Sequence, residues 1–149
     1  MAASSTCSAT TATPAVIDTQ TNEQTFLFGG FPALRLAFTP DGKSAYSVRG
    51  EPQISVVDVA ANRFGEVLDS GGDRATDVAV TPDGRFVYVT LRGLRQLAVF
   101  EVGKTGLGTH PVSWSGSGDG IAITPDGATA YVADAHSRAV HVIPAGDAA

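Results

Sequence analysis

Arginine recurs in the polar segments that are best placed to bind a ligand. A guanidinium group can bind a carboxylate or a phosphate through two parallel hydrogen bonds, so a ring of such groups would hold an anion. The candidate ligand-binding residues in these segments are Arg49, Glu51, Arg92, Arg95, Asp134, His136, Arg138, Asp73, Arg74 and Asp119. The competing interpretation is that they are ordinary solvated residues of surface loops in an acidic protein.

The histidines and the single cysteine do not form a pattern of metal ligands or nucleophiles. His136 and His141 are five residues apart, so on a strand their side chains face opposite sides, and His110 lies in another part of the chain. Asp134 and His136 have the residue types of a proton-relay pair, but no motif places a nucleophile beside them. Cys7 alone can form neither an internal disulfide nor a zinc site made of several thiolates. The sequence therefore predicts no catalytic residues, no metal and no cofactor.

Charge and hydropathy exclude several kinds of partner. The chain has 10 basic and 15 acidic residues, which give a net charge of −5. A nucleic-acid binder needs a basic face, so no nucleic-acid partner is expected. No stretch approaches the roughly 18 apolar residues of a membrane span, so no membrane insertion is expected. Residues 1–14 carry no charge and lack the apolar run of a secretory signal. We expect them to be a flexible tail, and they do not indicate a cellular compartment.

The elements that would position these residues are set by a repeat. Thr-Pro-Asp-Gly begins at Thr39, Thr81 and Thr124, at spacings of 42 and 43 residues. Each copy follows a short apolar run and is followed, four residues after its glycine, by a tyrosine. Proline fixes φ, aspartate tolerates the next turn position, and glycine supplies the left-handed residue that closes a β-hairpin. Hairpins at this period are typical of β-propeller blades.

Apolar and β-branched runs beside these turns predict four strands in each unit. Full units are expected at 33–71 and 75–116, and partial units at 15–30 and 119–143, which gives thirteen strands. The predicted fold is therefore all-β. Residues 15–149 should form four-stranded antiparallel propeller blades, about three in number, which make an incomplete propeller.

Several segments resemble known propeller repeats. VIDTQTN at 16–22, LAFTPDGK at 36–43 and YVT at 88–90 together resemble YVTN-type β-propeller repeats. Leu91 stands where that family usually has asparagine. The resemblance implies a non-enzymatic scaffold for binding or interaction, in a family whose members are often exported or located at the surface.

The segment LAFTPDGKSAYSV at 36–48 also looks like the lactonase-type seven-bladed propellers, which hydrolyse sugar lactones. That resemblance implies Pro-Arg-His before the apolar run and Asn-Glu after the next strand. Here Ala33-Leu34-Arg35 and Arg49-Gly50 occupy those places, and Glu51 lies one position late. A lactonase-type hydrolase that lacks its catalytic residues is therefore the alternative to the scaffold.

The predicted blades are too few to surround an axis. Propellers close with about four to eight blades, and an open arc would expose apolar faces and strand edges. We therefore expect the chain to be part of a longer propeller, or to be completed by a protein partner or a second copy. The isolated chain is expected to be a dimer or larger.

Overall fold

The structure, a computed structural model, describes residues 14–26, 33–71, 74–93, 96–104, 106–111 and 118–145, with only the backbone at 107–111. Most of the predicted tail, and the candidate residues Asp73 and Arg95, lie outside the described residues. The division of the chain into a tail and a partial propeller therefore stays a prediction.

The described residues form thirteen strands and no helix, which confirms the predicted all-β class. None of them forms a helix able to cross a membrane. The strands are β1 (Ala15–Ile17), β2 (Gln24–Phe26), β3 (Arg35–Phe38), β4 (Ser44–Val48), β5 (Gln53–Asp58), β6 (Arg63–Asp69), β7 (Arg74–Val80), β8 (Phe86–Arg92), β9 (Gln96–Glu101), β10 (Leu107–Pro111), β11 (Gly120–Ile123), β12 (Thr129–Asp134) and β13 (Ala139–Pro144).

The strands form four separate antiparallel sheets in which neighbours in sequence are neighbours in space. We call β3 to β6 blade 1, β7 to β10 blade 2, β11 to β13 blade 3, and β1 with β2 the N-terminal pair. The sequence predicts the fourth strands of the two full blades near 65–70 and 109–115, and each begins two residues earlier, at Arg63 and at Leu107. In both blades the chain turns back at a residue with a left-handed backbone conformation, Asn62 in blade 1 and Gly103 in blade 2. The hydrogen bonds between the third and fourth strands then begin at residues outside the apolar run that predicted the fourth strand.

The three Thr-Pro-Asp-Gly turns have one geometry, which blade 2 illustrates. Gly84 has a φ of 72°, and its amide donates to the carbonyl of Thr81 at 2.8 Å. The Thr81 hydroxyl donates to the carboxylate of Asp83 at 2.5 Å and accepts a hydrogen bond from the amide of Phe86 at 3.0 Å. The same carboxylate accepts the Arg85 amide at 3.0 Å. The tetrapeptide therefore closes the hairpin between the first two strands of each blade.

The core lies between the blades rather than inside any one of them. Side chains alternate across each sheet, so every blade has two faces. The face that packs on the next blade in chain order is called here the forward face. Tyr46 and Ile54 on blade 1 share one apolar cluster with Val87 and Phe100 of blade 2. A second cluster joins blades 2 and 3, and consists of Phe86, Tyr88, Leu97, Val99, Ala130, Val132 and Ile143.

Candidate functional site

The loop that joins β4 to β5 carries the first candidate residues, and the backbone of β7 holds it in place. The Gly50 amide donates to the Ala75 carbonyl at 3.1 Å, and the Ala75 amide donates to the Glu51 carbonyl at 3.1 Å. The hydroxyl of Ser70 donates to the carbonyl of Pro52 at 2.7 Å. The β4–β5 loop of blade 1 thus pairs with the first strand of blade 2. This pairing brings Arg49 and Glu51 to the end of the blades where β7 begins.

Two candidate arginines lie directly opposite each other at this end. Arg74, the first residue of β7, pairs in register with Arg92, the last residue of β8, and both side chains are exposed. Like charges on opposite strands repel each other. Arg49, which is partly buried, donates from Nη2 to Oε1 of Gln53 at 2.9 Å. We call Arg49, Arg74 and Arg92 the arginine cluster, because the register and the loop contact bring these three residues to one end of blades 1 and 2.

One acidic residue that was not among the candidates links the first strands of three sheets. The Asp77 carboxylate lies 4.0 Å from Nε of Arg35 on β3, and its Oδ2 accepts the amide of Ile121 on β11 at 2.9 Å. The repeat itself contains the signal that would have identified it. Arg35, Asp77 and Gly120 each stand four residues before the threonine of a Thr-Pro-Asp-Gly turn. Equivalent positions on the first strands of successive blades therefore meet in the structure.

In blade 3 the carboxylate of Asp134 is bound by its own turn and lies beside one histidine side chain. Oδ1 of the buried Asp134 accepts the backbone amides of His136 at 2.9 Å and Ser137 at 3.0 Å. The imidazole beside this carboxylate belongs to His141, whose Nε2 lies 3.5 Å from Oδ2. Hydrogen bonds from Ser137, and to a smaller extent from His136, hold the pKa of Asp134 below its ordinary value. Asp134 therefore shapes the β12–β13 turn, and the imidazole beside its carboxylate is that of His141 rather than that of His136.

The remaining candidates in blade 3 are not part of the arginine cluster. Asp119 accepts the Ala135 amide at 2.8 Å, so its carboxylate holds the same turn from the other side. His136 and Arg138 are exposed, and Arg138 has a left-handed φ of 55° within this turn. Within the described part of the chain, no three histidine, cysteine, aspartate or glutamate residues are grouped as metal ligands would be.

Comparison with known proteins identifies the family. The lactonase family, described as a seven-bladed β-propeller, matches residues 35–147. The chain belongs to the lactonase family. Its structure is also similar to Kuenenia stuttgartiensis hydrazine synthase, with a TM-score of 0.78 and 25% sequence identity. That similarity covers 89% of this chain and 40% of the other, so the chain spans about two fifths of that structure's length. No curated protein sequence matches this chain.

The family match covers blades 1 to 3, which contain the two places at which the sequence resemblance implies histidine and glutamate. Arg35 takes the histidine position; it is exposed, and its Nη1 donates to the Leu34 carbonyl at 2.9 Å. Gly50 takes the glutamate position and has a φ of 78°, which a glycine adopts readily and a glutamate does not. The nearest carboxylate in sequence is that of Glu51, which is exposed.

Proposed function

We propose that this lactonase-family chain is a non-enzymatic propeller scaffold that binds an anionic ligand, a carboxylate or a phosphate, at the arginine cluster. The observation that supports this most directly is the pairing of Arg74 with Arg92 in register. Two guanidinium groups on neighbouring strands can both donate charge-assisted hydrogen bonds to one bound anion. In a protein of net charge −5, such a cluster is a local reversal of sign.

The same proposal includes the type of repeat and the way in which the backbone holds the arginine cluster. We assign the blades to the YVTN type, because Tyr88-Val89-Thr90 lies in β8 and the tyrosine packs between blades 2 and 3. Because the β4–β5 loop is hydrogen-bonded to β7, Arg49 and Arg74 are held by rigid backbone. A pre-organised site of this kind loses little conformational entropy when it binds a ligand. The scaffold then acts within a larger propeller or an assembly.

Calorimetric titration with 6-phosphogluconate, which carries both a carboxylate and a phosphate, tests the proposal. Arg92→Gln should weaken binding about tenfold or more, because a charged hydrogen-bonding partner is lost. Arg63→Gln is the matched control, since Arg63 is an exposed arginine at the other end of blade 1. Wild-type protein that does not bind the ligand, or equal weakening by the two variants, would contradict the proposal. Binding should also weaken as salt is added.

The second candidate function is hydrolysis of a sugar lactone, and the family match over residues 35–147 favours it. Glu51 is the carboxylate nearest to the implied catalytic position, and it lies beside the arginine cluster. The test is the rate of 6-phosphogluconolactone hydrolysis above the spontaneous rate. Activity that Glu51→Ala removes and Glu66→Ala retains would establish the hydrolase and reject the non-enzymatic scaffold. Glu66 is an exposed glutamate of β6 and serves as the matched control.

A further inference from the structure

The first strand of blade 2 is longer than the first strands of the blades on either side. β3 begins at Arg35 and β11 begins at Gly120, and the equivalent position of the repeat in β7 is Asp77. β7 begins three residues earlier, at Arg74. We call residues 74–76 the extension. It carries one arginine of the cluster, and β3 and β11 have no strand residues at the equivalent positions.

A β-bulge joins the extension to the rest of β7. Thr76 has no partner on β8, whereas the residues on either side of it are paired. The core shows the effect on side-chain direction, because Val78 and Ala75 both lie in the cluster between blades 1 and 2. Regular alternation would instead place Thr76 on that side, and Arg74 with it. The bulge therefore turns Arg74 to the forward face of blade 2, opposite Arg92.

Contacts from both neighbouring blades hold the bulge. On the side of blade 3, the Thr76 hydroxyl donates to the carbonyl of Gly118 and lies 2.9 Å from the hydroxyl of the buried Thr90. On the side of blade 1, the backbone of Ala75 forms two hydrogen bonds with the β4–β5 loop, both at 3.1 Å. The hydroxyl of Thr76 is thus a contact that can be removed without changing an arginine.

We infer that the bulge builds the arginine cluster, and that Thr76 is a positioning residue that acts on the ligand through Arg74. The inference rests on the proposed function. Opposed residues of an antiparallel pair have Cβ atoms about 4.5 to 5.5 Å apart, so the guanidinium groups of Arg74 and Arg92 can reach one anionic group together. Bulges are common beside functional sites, because the extra residue changes the direction of a side chain.

The first test measures the register of β7 and needs no ligand. Cys7→Ser removes the single native cysteine. In that background the pair Arg74→Cys and Arg92→Cys should form a disulfide under mild oxidation, because directly opposed residues lie within the Cα range of a disulfide. Thr76→Val should lower this yield and raise that of Ala75→Cys with Arg92→Cys, the pair that regular alternation would bring together. Yields that Thr76→Val leaves unchanged would overturn the inference.

The second test measures binding of 6-phosphogluconate by calorimetry. Thr76→Val should weaken binding about tenfold or more, because one charged hydrogen-bonding partner turns away from the ligand. Thr76→Ser keeps the hydroxyl and should bind as wild type does. Thr124→Val is the matched control, since the Thr124 hydroxyl holds a turn at the other end of the blades. In an Arg74→Gln background, Thr76→Val should cause no further loss. Circular dichroism verifies that each variant keeps its β structure.

The double variant separates positioning from other roles of Thr76. If Thr76→Val weakens binding equally with and without Arg74→Gln, then Thr76 acts on general stability or contacts the ligand itself, and the inference is overturned. Wild-type protein that does not bind 6-phosphogluconate would reject the proposed function, and with it the effect of Thr76 on a ligand. The disulfide yields decide separately whether the bulge sets the register.

Discussion

At the scale of single residues, each Thr-Pro-Asp-Gly turn depends on one carboxylate that receives two hydrogen bonds. In the turns of blades 1, 2 and 3 the threonine hydroxyl donates to the aspartate at 2.6, 2.5 and 2.5 Å. A backbone amide two residues after the aspartate donates to the same oxygen. These hydroxyl bonds, followed by the amide bonds, hold the pKa values of Asp41, Asp83 and Asp126 below their ordinary value of 3.8.

This geometry predicts that the fold loses stability in acid. The folded state favours the ionised carboxylates, so the unfolded chain binds protons first as the pH falls. The stabilisation is complete above the unfolded pKa of about 3.8 and is lost as the pH falls through the lower folded values. Urea unfolding at pH 7, 4 and 3 should therefore show a fall in stability. Replacement of Asp41, Asp83 and Asp126 by asparagine should flatten that fall, and a fall of unchanged steepness would show that these turns are not responsible.

At the scale of strands, the regular parts of the fold were predictable, and an irregular part was not. Turn residues and β-branched runs indicated the strands, because both signals are local. Strand β7 breaks the pattern with a bulge between Ala75 and Asp77, where Thr76 has no partner in the register. The Thr76 hydroxyl lies 2.9 Å from that of Thr90 and also donates to the Gly118 carbonyl, which belongs to the next blade. A bulge changes which side of a strand each later residue faces, so alternation alone could not show the role of Asp77.

The contact at Gly118 gives a prediction about how closely two blades approach. A Cβ atom at Gly118 would lie 2.9 Å from Cβ of the buried Thr90. Gly118→Ala should therefore push blades 2 and 3 apart and cost about 1 to 3 kcal/mol of unfolding free energy. Gly106→Ala is the control, because nothing lies within 4 Å of a Cβ at Gly106, and it should change stability by less than about 0.5 kcal/mol. Urea unfolding measures both, and equal effects would contradict this account.

At the scale of the whole molecule, the blades behave as a stack in which each one is stabilised by its neighbours. The sequence predicted the series of antiparallel blades from its repeat. It did not show that Arg74 meets Arg92, or that His141 rather than His136 lies beside Asp134. Those contacts depend on strand register and on the packing of one blade against the next. A single sequence does not specify either of them at the level of one residue.

Substitution of tyrosines at equivalent positions of two blades shows how much packing against a neighbouring blade contributes to the free energy of unfolding. Tyr88→Ala removes a fully buried ring from the cluster between blades 2 and 3 and should cost about 3 kcal/mol or more. Tyr131→Ala removes the same side chain from an exposed position and should cost less than about 1 kcal/mol. Thermal unfolding of dilute protein, in which copies do not associate, makes the comparison. Similar losses for the two variants would mean that burial between blades does not determine their contributions.

The β4–β5 loop of blade 1 has a consequence for the way the chain exposes its backbone to solvent. Because Ala75 accepts a hydrogen bond from the Gly50 amide and donates one to the Glu51 carbonyl across the boundary between blades, the connecting segment pairs with the neighbouring sheet as an added strand would. In deuterated water the amides of Gly50 and Ala75 should take up label as slowly as those within strands. Proteases need an unpaired stretch of backbone, so they should leave this segment uncut while the two blades remain together.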